Sequence, residues 1–113
     1  MNDCIFCKIA AGEIPAAKLY EDELVCAFKD LAPQAPTHFL VIPKRHIGSV
    51  SGITPDNSET VGHIFTIISG LCAELGIENG YRVVTNTGED AGQSVPHLHF
   101  HVLAGRSLAW PPG

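Results

Sequence analysis

The chain has 113 residues, 45% hydrophobic and 17% charged, with 11 glycines and 8 prolines, a composition that predicts one turn-rich globular domain over residues 1–113 and excludes a disordered chain. A formal net charge of −5 and only seven Lys and Arg exclude a general binder of the nucleic-acid backbone, which needs a basic surface; a small anion can still be held by backbone N–H groups and imidazoles. No apolar run is long enough to span a membrane and MNDCIFCKIAAGEIP lacks the apolar core of a signal peptide, so no membrane contact and a cytoplasmic location are expected.

CIFCKIAA at 4–11 predicts a short helix stopped by Gly12 and Pro15. LVCAFKD at 24–30 predicts a strand, and DLAPQAP a turn, because its two prolines cannot sit inside a sheet. THFLVIPK at 37–44 is the cleanest strand of the first half, ended near Pro43. In SETVGHIFTIISGLCAEL at 58–75, Val61, Ile64, Phe65, Ile68, Leu71, Cys72 and Leu75 recur at three and four, which predicts one long amphipathic helix stopped by Gly76. Its start is marked by both Thr54-Pro55 and Ser58. YRVVTNT at 81–87 is a further strand, GEDAGQS at 88–94 a polar loop, and PHLHFHVLAG at 96–105 the last strand. The expected fold is α+β: an antiparallel meander sheet of about five strands, with one long and one short helix. So small a sheet, followed by a tail at 105–113 that holds Trp110, would gain from pairing with a copy of itself.

Within the last strand His97, His99 and His101 alternate with Leu98, Phe100 and Val102. A strand sends alternate side chains to opposite faces, so the imidazoles line one face while the apolar residues enter a core. Three readings are open: an exposed face without a task, a metal site, or nucleophilic chemistry on phosphorus. A neutral imidazole is a fair nucleophile near neutral pH, and a protonated neighbour can steady phosphoryl oxygens. GEDAGQS, just upstream, has the composition of a backbone nest for an anion, and Ser94 can donate to a departing group. Cys4 and Cys7 form a CxxC that fits a redox pair, a metal pair or neither; Cys26 and Cys72 lie in apolar segments as buried thiols. His38 is expected to be structural and His63 solvated.

HLHFHVL resembles the histidine triad signature, His-x-His-x-His followed by apolar residues. FKDLAPQAPTHFLVIPKRHI, GYRVVTNTGEDAGQSVPHLHFHVLAGR and the terminal WPPG extend the resemblance over nearly the whole chain, to the histidine triad nucleotide-binding branch. The resemblance implies a HIT-like fold and a hydrolase. Its catalytic set is His99 as the nucleophile on the α-phosphorus, His101 at the phosphate, His97 offering its backbone carbonyl to the attacking ring, His46 as partner of His97, and Ser94 near the leaving group. It places Asp30 at the ribose hydroxyls, Phe6, Ile9, Phe28 and Leu31 around the base, and Gln93 and Asn86 near the phosphate. Many bacterial relatives hold a zinc through the positions of Cys4, Cys7, His46 and His97, so a structural Zn2+ is implied here, while no cofactor is needed for the chemistry.

The family relatives act on purine nucleoside 5'-monophosphoramidates and aminoacyl-adenylates, giving AMP or GMP through a covalent nucleotidyl-histidine. Histidine at 101, where the transferase branch has glutamine, implies water as acceptor. The tail implies a homodimer in which Trp110 reaches the partner's site. Two alternatives stand beside this: a non-catalytic nucleotide-binding regulatory module, and a dinucleoside polyphosphate hydrolase.

Overall fold

The computed structural model describes residues 3–113. In chain order it has helix α1 (Ile5–Ala10), strands β1 (Lys18–Glu21), β2 (Val25–Lys29) and β3 (Thr37–Pro43), a 3-10 turn at Val50–Gly52, helix α2 (Ser58–Glu74), and strands β4 (Tyr81–Val84) and β5 (Phe100–Ala104). The five strands form one antiparallel sheet in the order β1-β2-β3-β5-β4. The expected five-stranded antiparallel sheet with one long and one short helix is therefore present. It runs as a meander only from β1 to β3. The chain then crosses through α2 to the edge strand β4, and β5 returns between β4 and β3.

Alternation sorts each strand between two faces. Val25 and Ala27, Phe39 and Val41, and Phe100 and Val102 meet Ile64, Ile68, Leu71 and Cys72 of α2. The opposite residues, Cys26 and Phe28 with Leu40 and Ile42, pack against Phe6, Ile9 and Ala10 of α1. An isolated helix of the length of α2 is marginal in water. Burial of Ile64, Ile68 and Leu71, at about 1.5–3 kcal/mol per fully buried side chain, decides that it forms. The expected stripe is narrower than its sequence pattern: Phe65 and Leu75 are about half exposed, although Phe65 still meets the Phe100 ring edge-on. Ser58, one of the two expected start signals, is the first residue of α2, but the N-cap position is not its own. Asn57 precedes it, and its carboxamide instead ties Thr54 N–H and Gly52 C=O together, closing the loop before the helix.

β1 has no counterpart among the strands expected by position. KLYE is short, bounded by charges and bulged between Lys18 and Tyr20, so its alternation is too brief to read. The bulge and the Lys18–Glu21 ion pair blunt this edge of the sheet, whereas β4 at the other edge pairs with β5 in unbroken register. His63, expected to be solvated, instead lies 2.6 Å from Asp22. Burial alone would raise the Asp22 pKa, but bonds from His63, the Leu24 and Val25 backbone N–H groups and Tyr20 outweigh it and hold the carboxyl far below the usual range. The pair ties α2 to the β1–β2 turn. Among the described residues no helix is long and apolar enough to cross a membrane.

Candidate active site

The ladder of β5 begins only at Phe100, so His97 and His99 precede the strand that was expected to carry them. The alternation nevertheless holds through the bend. Leu98 is buried in the α2-side core, and the three imidazoles turn to the α1 side. The peptide between His97 and Leu98 is fixed at both ends: its N–H donates to the Ile47 carbonyl at 2.6 Å, and its C=O accepts from His99 Nδ1 at 2.6 Å. Since a carbonyl can only accept, Nδ1 carries the hydrogen and the Nε2 of neutral His99 is left with its lone pair. Thus one backbone peptide selects the nitrogen that can attack, the task an orienting carboxylate performs in a serine triad.

His99 opens into a cavity of about 240 Å3. Phe6, Ile9, Phe28 and Leu31 line it, together with Asp30, Ser94 and His101. Phe6 presents its ring edge-on to His99, with centroids 5.0 Å apart, and to Phe28 at 5.6 Å. Leu31 is fully exposed at the rim. A larger cleft of about 480 Å3 lies at the far end of α2, between Leu75–Gly80 and Gly105–Ser107. It holds no histidine or cysteine, and so lacks a nucleophile comparable to His99.

On one side of His99 stands a closed polar cluster. His38, expected to be structural, places Nε2 2.9 Å from His101 Nδ1 and 3.4 Å from Asp30 Oδ2. The Gln34 backbone N–H donates to His38 Nδ1 at 3.0 Å. Neutral His38 therefore carries its hydrogen on Nε2, gives it to His101 Nδ1, and leaves His101 with its own hydrogen on Nε2. Burial, reinforced by His99 and His38 and opposed by Asp30, lowers the His101 pKa and favours this neutral form. His38 is the residue that sequence reasoning missed. Alternation alone puts His38 on the same face of β3 as Leu40; that Leu40 has His101 as its register partner on β5 is set by strand order, which the sequence did not reveal.

On the other side, Cys4, Cys7, His46 and His97 bring two sulfurs and two imidazole nitrogens within 4.8 Å of one another. His97 is fully buried; its Nε2–H donates to the Pro43 carbonyl at 2.9 Å. In the neutral ring this leaves the Nδ1 lone pair facing Cys4 Sγ at 3.2 Å and Cys7 Sγ at 3.4 Å. His46 Nδ1 stands 3.2 Å from Cys7 Sγ. A group of donors so arranged can hold a metal ion. Both thiols come from α1, and Cys4 also caps that helix through its sulfur.

The remaining expected positions lie outside the cavity. Gln93 bonds three backbone groups with its carboxamide, donating to Gly48 C=O and Val95 C=O and accepting from Gly88 N–H. It thereby holds the polar loop and the His46 segment together. Asn86 is half-buried just beyond β4, and Trp110 is exposed in the tail.

Fold and histidine geometry define a histidine triad protein, and the family comparison agrees: the HIT domain model matches residues 11–108, so the chain belongs to the HIT family. It is 51% identical over 112 residues to an uncharacterized HIT-like protein of Synechococcus elongatus, covering 99% of this chain and 98% of that one. Its fold superposes on a HIT family hydrolase from Legionella pneumophila with a TM-score of 0.95, at 47% identity over 98% of this chain and all of the other. It is also similar to a histidine triad nucleotide-binding protein from Candida albicans, with a TM-score of 0.81, 35% identity and coverage of 96% and 83%.

Proposed function

We propose that the protein belongs to the nucleotide-binding branch of its family and hydrolyses the P–N bond of purine nucleoside 5'-monophosphoramidates, and equally aminoacyl-adenylates. The observation that carries this reading is the 2.6 Å bond from His99 Nδ1 to the His97 carbonyl, which aims a bare Nε2 at a cavity with an apolar end and a carboxylate. The base enters between Phe6, Ile9, Phe28 and Leu31, and Asp30 accepts the ribose hydroxyls. The His99 Nε2 electron pair forms a bond to the α-phosphorus while the P–N bond breaks. The leaving nitrogen takes a proton from Ser94 Oγ or His101 Nε2. Water then attacks the nucleotidyl-histidine and returns a proton to the group that protonated the amine, the P–N bond to His99 breaks with its electron pair going back to Nε2, and AMP or GMP leaves. The similarity to a nucleotide-binding histidine triad protein supports this branch. A histidine at 101 supports water as the acceptor.

The metal in this reading is a structural Zn2+. Tetrahedral bonds of the usual Zn–S and Zn–N lengths separate a sulfur from a nitrogen by roughly 3.5 Å, close to the 3.2–3.4 Å between sulfurs and ring nitrogens here. The ion would fasten α1 to His97 and His46 and stay apart from the reacting phosphorus. We further propose a homodimer formed through the open β4 edge, with Trp110 of the tail reaching toward the partner's cavity, and a cytoplasmic setting. The test is adenosine 5'-phosphoramidate with purified protein: AMP release through an adenylylated His99, trapped by rapid acid-free quenching and mass spectrometry, is expected. Binding of AMP without turnover would replace the enzyme with the regulatory-module reading.

A further inference from the structure

We infer that Thr85 is a positioning residue for the nucleophile. The inference rests on the proposed reaction at His99 and adds a residue to it. The ladder between β4 and β5 ends at Val84 and His101, so His99 lies where the two chains part. Thr85, the residue after β4, donates its hydroxyl to the His99 carbonyl at 2.8 Å. A side chain here takes over the grip that strand pairing has released.

His99 is consequently clamped on both flanks. The peptide before it is held by Ile47 and in turn holds the His99 ring. Among the described residues, Thr85 alone offers a side chain to the peptide after it. Only the first clamp selects the ring nitrogen; the second sets where the His99 Cα stands, and with it the distance from Nε2 to phosphorus. Small displacements of a reacting atom lower rates steeply, whereas the proposed base and ribose contacts come from α1, β2 and the β2–β3 turn, and Thr85 does not line that cavity. Loss of the hydroxyl should slow bond formation to phosphorus and leave ground-state nucleotide affinity alone.

The experiment compares wild type with Thr85→Val, which keeps the β-branched shape, and Thr85→Ser, which keeps the hydroxyl. Single-turnover formation of adenylyl-His99 from adenosine 5'-phosphoramidate and AMP affinity by calorimetry are both measured. The expected result is a roughly five- to twentyfold slower adenylylation in Thr85→Val, AMP affinity within about twofold, and near-wild-type rates in Thr85→Ser. Equal rates in wild type and Thr85→Val overturn the inference while the reaction stands. Equal slowing in Thr85→Ser, or a matching loss of AMP affinity, also overturns it by making the effect one of general packing. A wild-type protein that forms no adenylyl-histidine removes the proposed reaction, and the inference with it. Should Thr85→Val fail to fold, Thr85→Ser against Thr85→Ala repeats the comparison on a smaller side chain.

Discussion

Two clusters flank His99, and they differ in what their nitrogen atoms face. At Asp30, His38 and His101 the polar atoms are turned on one another, from the Gln34 N–H through both rings. At Cys4, Cys7, His46 and His97 the ring nitrogens are turned toward two sulfurs. In both clusters a backbone group at the far nitrogen of one ring decides the outcome: Gln34 N–H on His38, Pro43 C=O on His97. A donor there makes the other nitrogen a donor, and an acceptor there makes it a ligand. One hydrogen bond from the main chain thus decides whether the same side chain passes a hydrogen bond on to the next ring or turns a lone pair toward a group of donors that could hold a metal ion.

The largest expected effect falls on the residue between the clusters. His99→Gly should lower AMP release roughly a thousandfold or more while AMP binding and Zn2+ uptake persist, checked by calorimetry with each ligand. Loss of Zn2+ uptake in that variant would mean that the two sides are one unit. The next comparison separates them. Zn2+ at a hundred times its Kd should raise wild-type stability to urea by about 2.7 kcal/mol, and the double variant Cys4→Ser/Cys7→Ser should not respond. His38→Leu should respond to Zn2+ as wild type does, yet turn over roughly ten- to a hundredfold more slowly, because His101 loses the donor that sets its tautomer.

A smaller effect concerns pH. The His101 pKa is lower in the fold than in the unfolded chain, so the unfolded chain binds more protons in the window between the two values. The stability from this group is complete above about pH 6.5 and is lost as pH falls from there toward the folded value. Urea denaturation at about pH 7.5 and about pH 5.5 should show a smaller decline in His101→Gln than in wild type.

The features legible in the sequence were the local ones. Period two separated His97, His99 and His101 from Leu98, Phe100 and Val102, and period three to four found α2. What lay beyond reach depended on strands meeting. That His38 would stand against His101 follows from β5 inserting beside β3, a choice of strand order that no local pattern encodes. His63 gave no signal for the same reason, since Asp22 reaches it only after α2 lies across the sheet. Cys4, Cys7, His46 and His97 were grouped through resemblance alone; the chain brings them together only by docking a six-residue helix against the bend before β5.

The two edges of the sheet are unlike. β1 ends one side with a bulge and an ion pair, and β4 ends the other with an unbroken register. A sheet with usable backbone groups on both borders can add copies without limit, as fibrils do. A sheet with one such border can be extended only once, because antiparallel joining of two like edges consumes both. If the proposed dimer forms through β4, the blunted β1 would act as its stop on polymerisation, and the assembly would close at two.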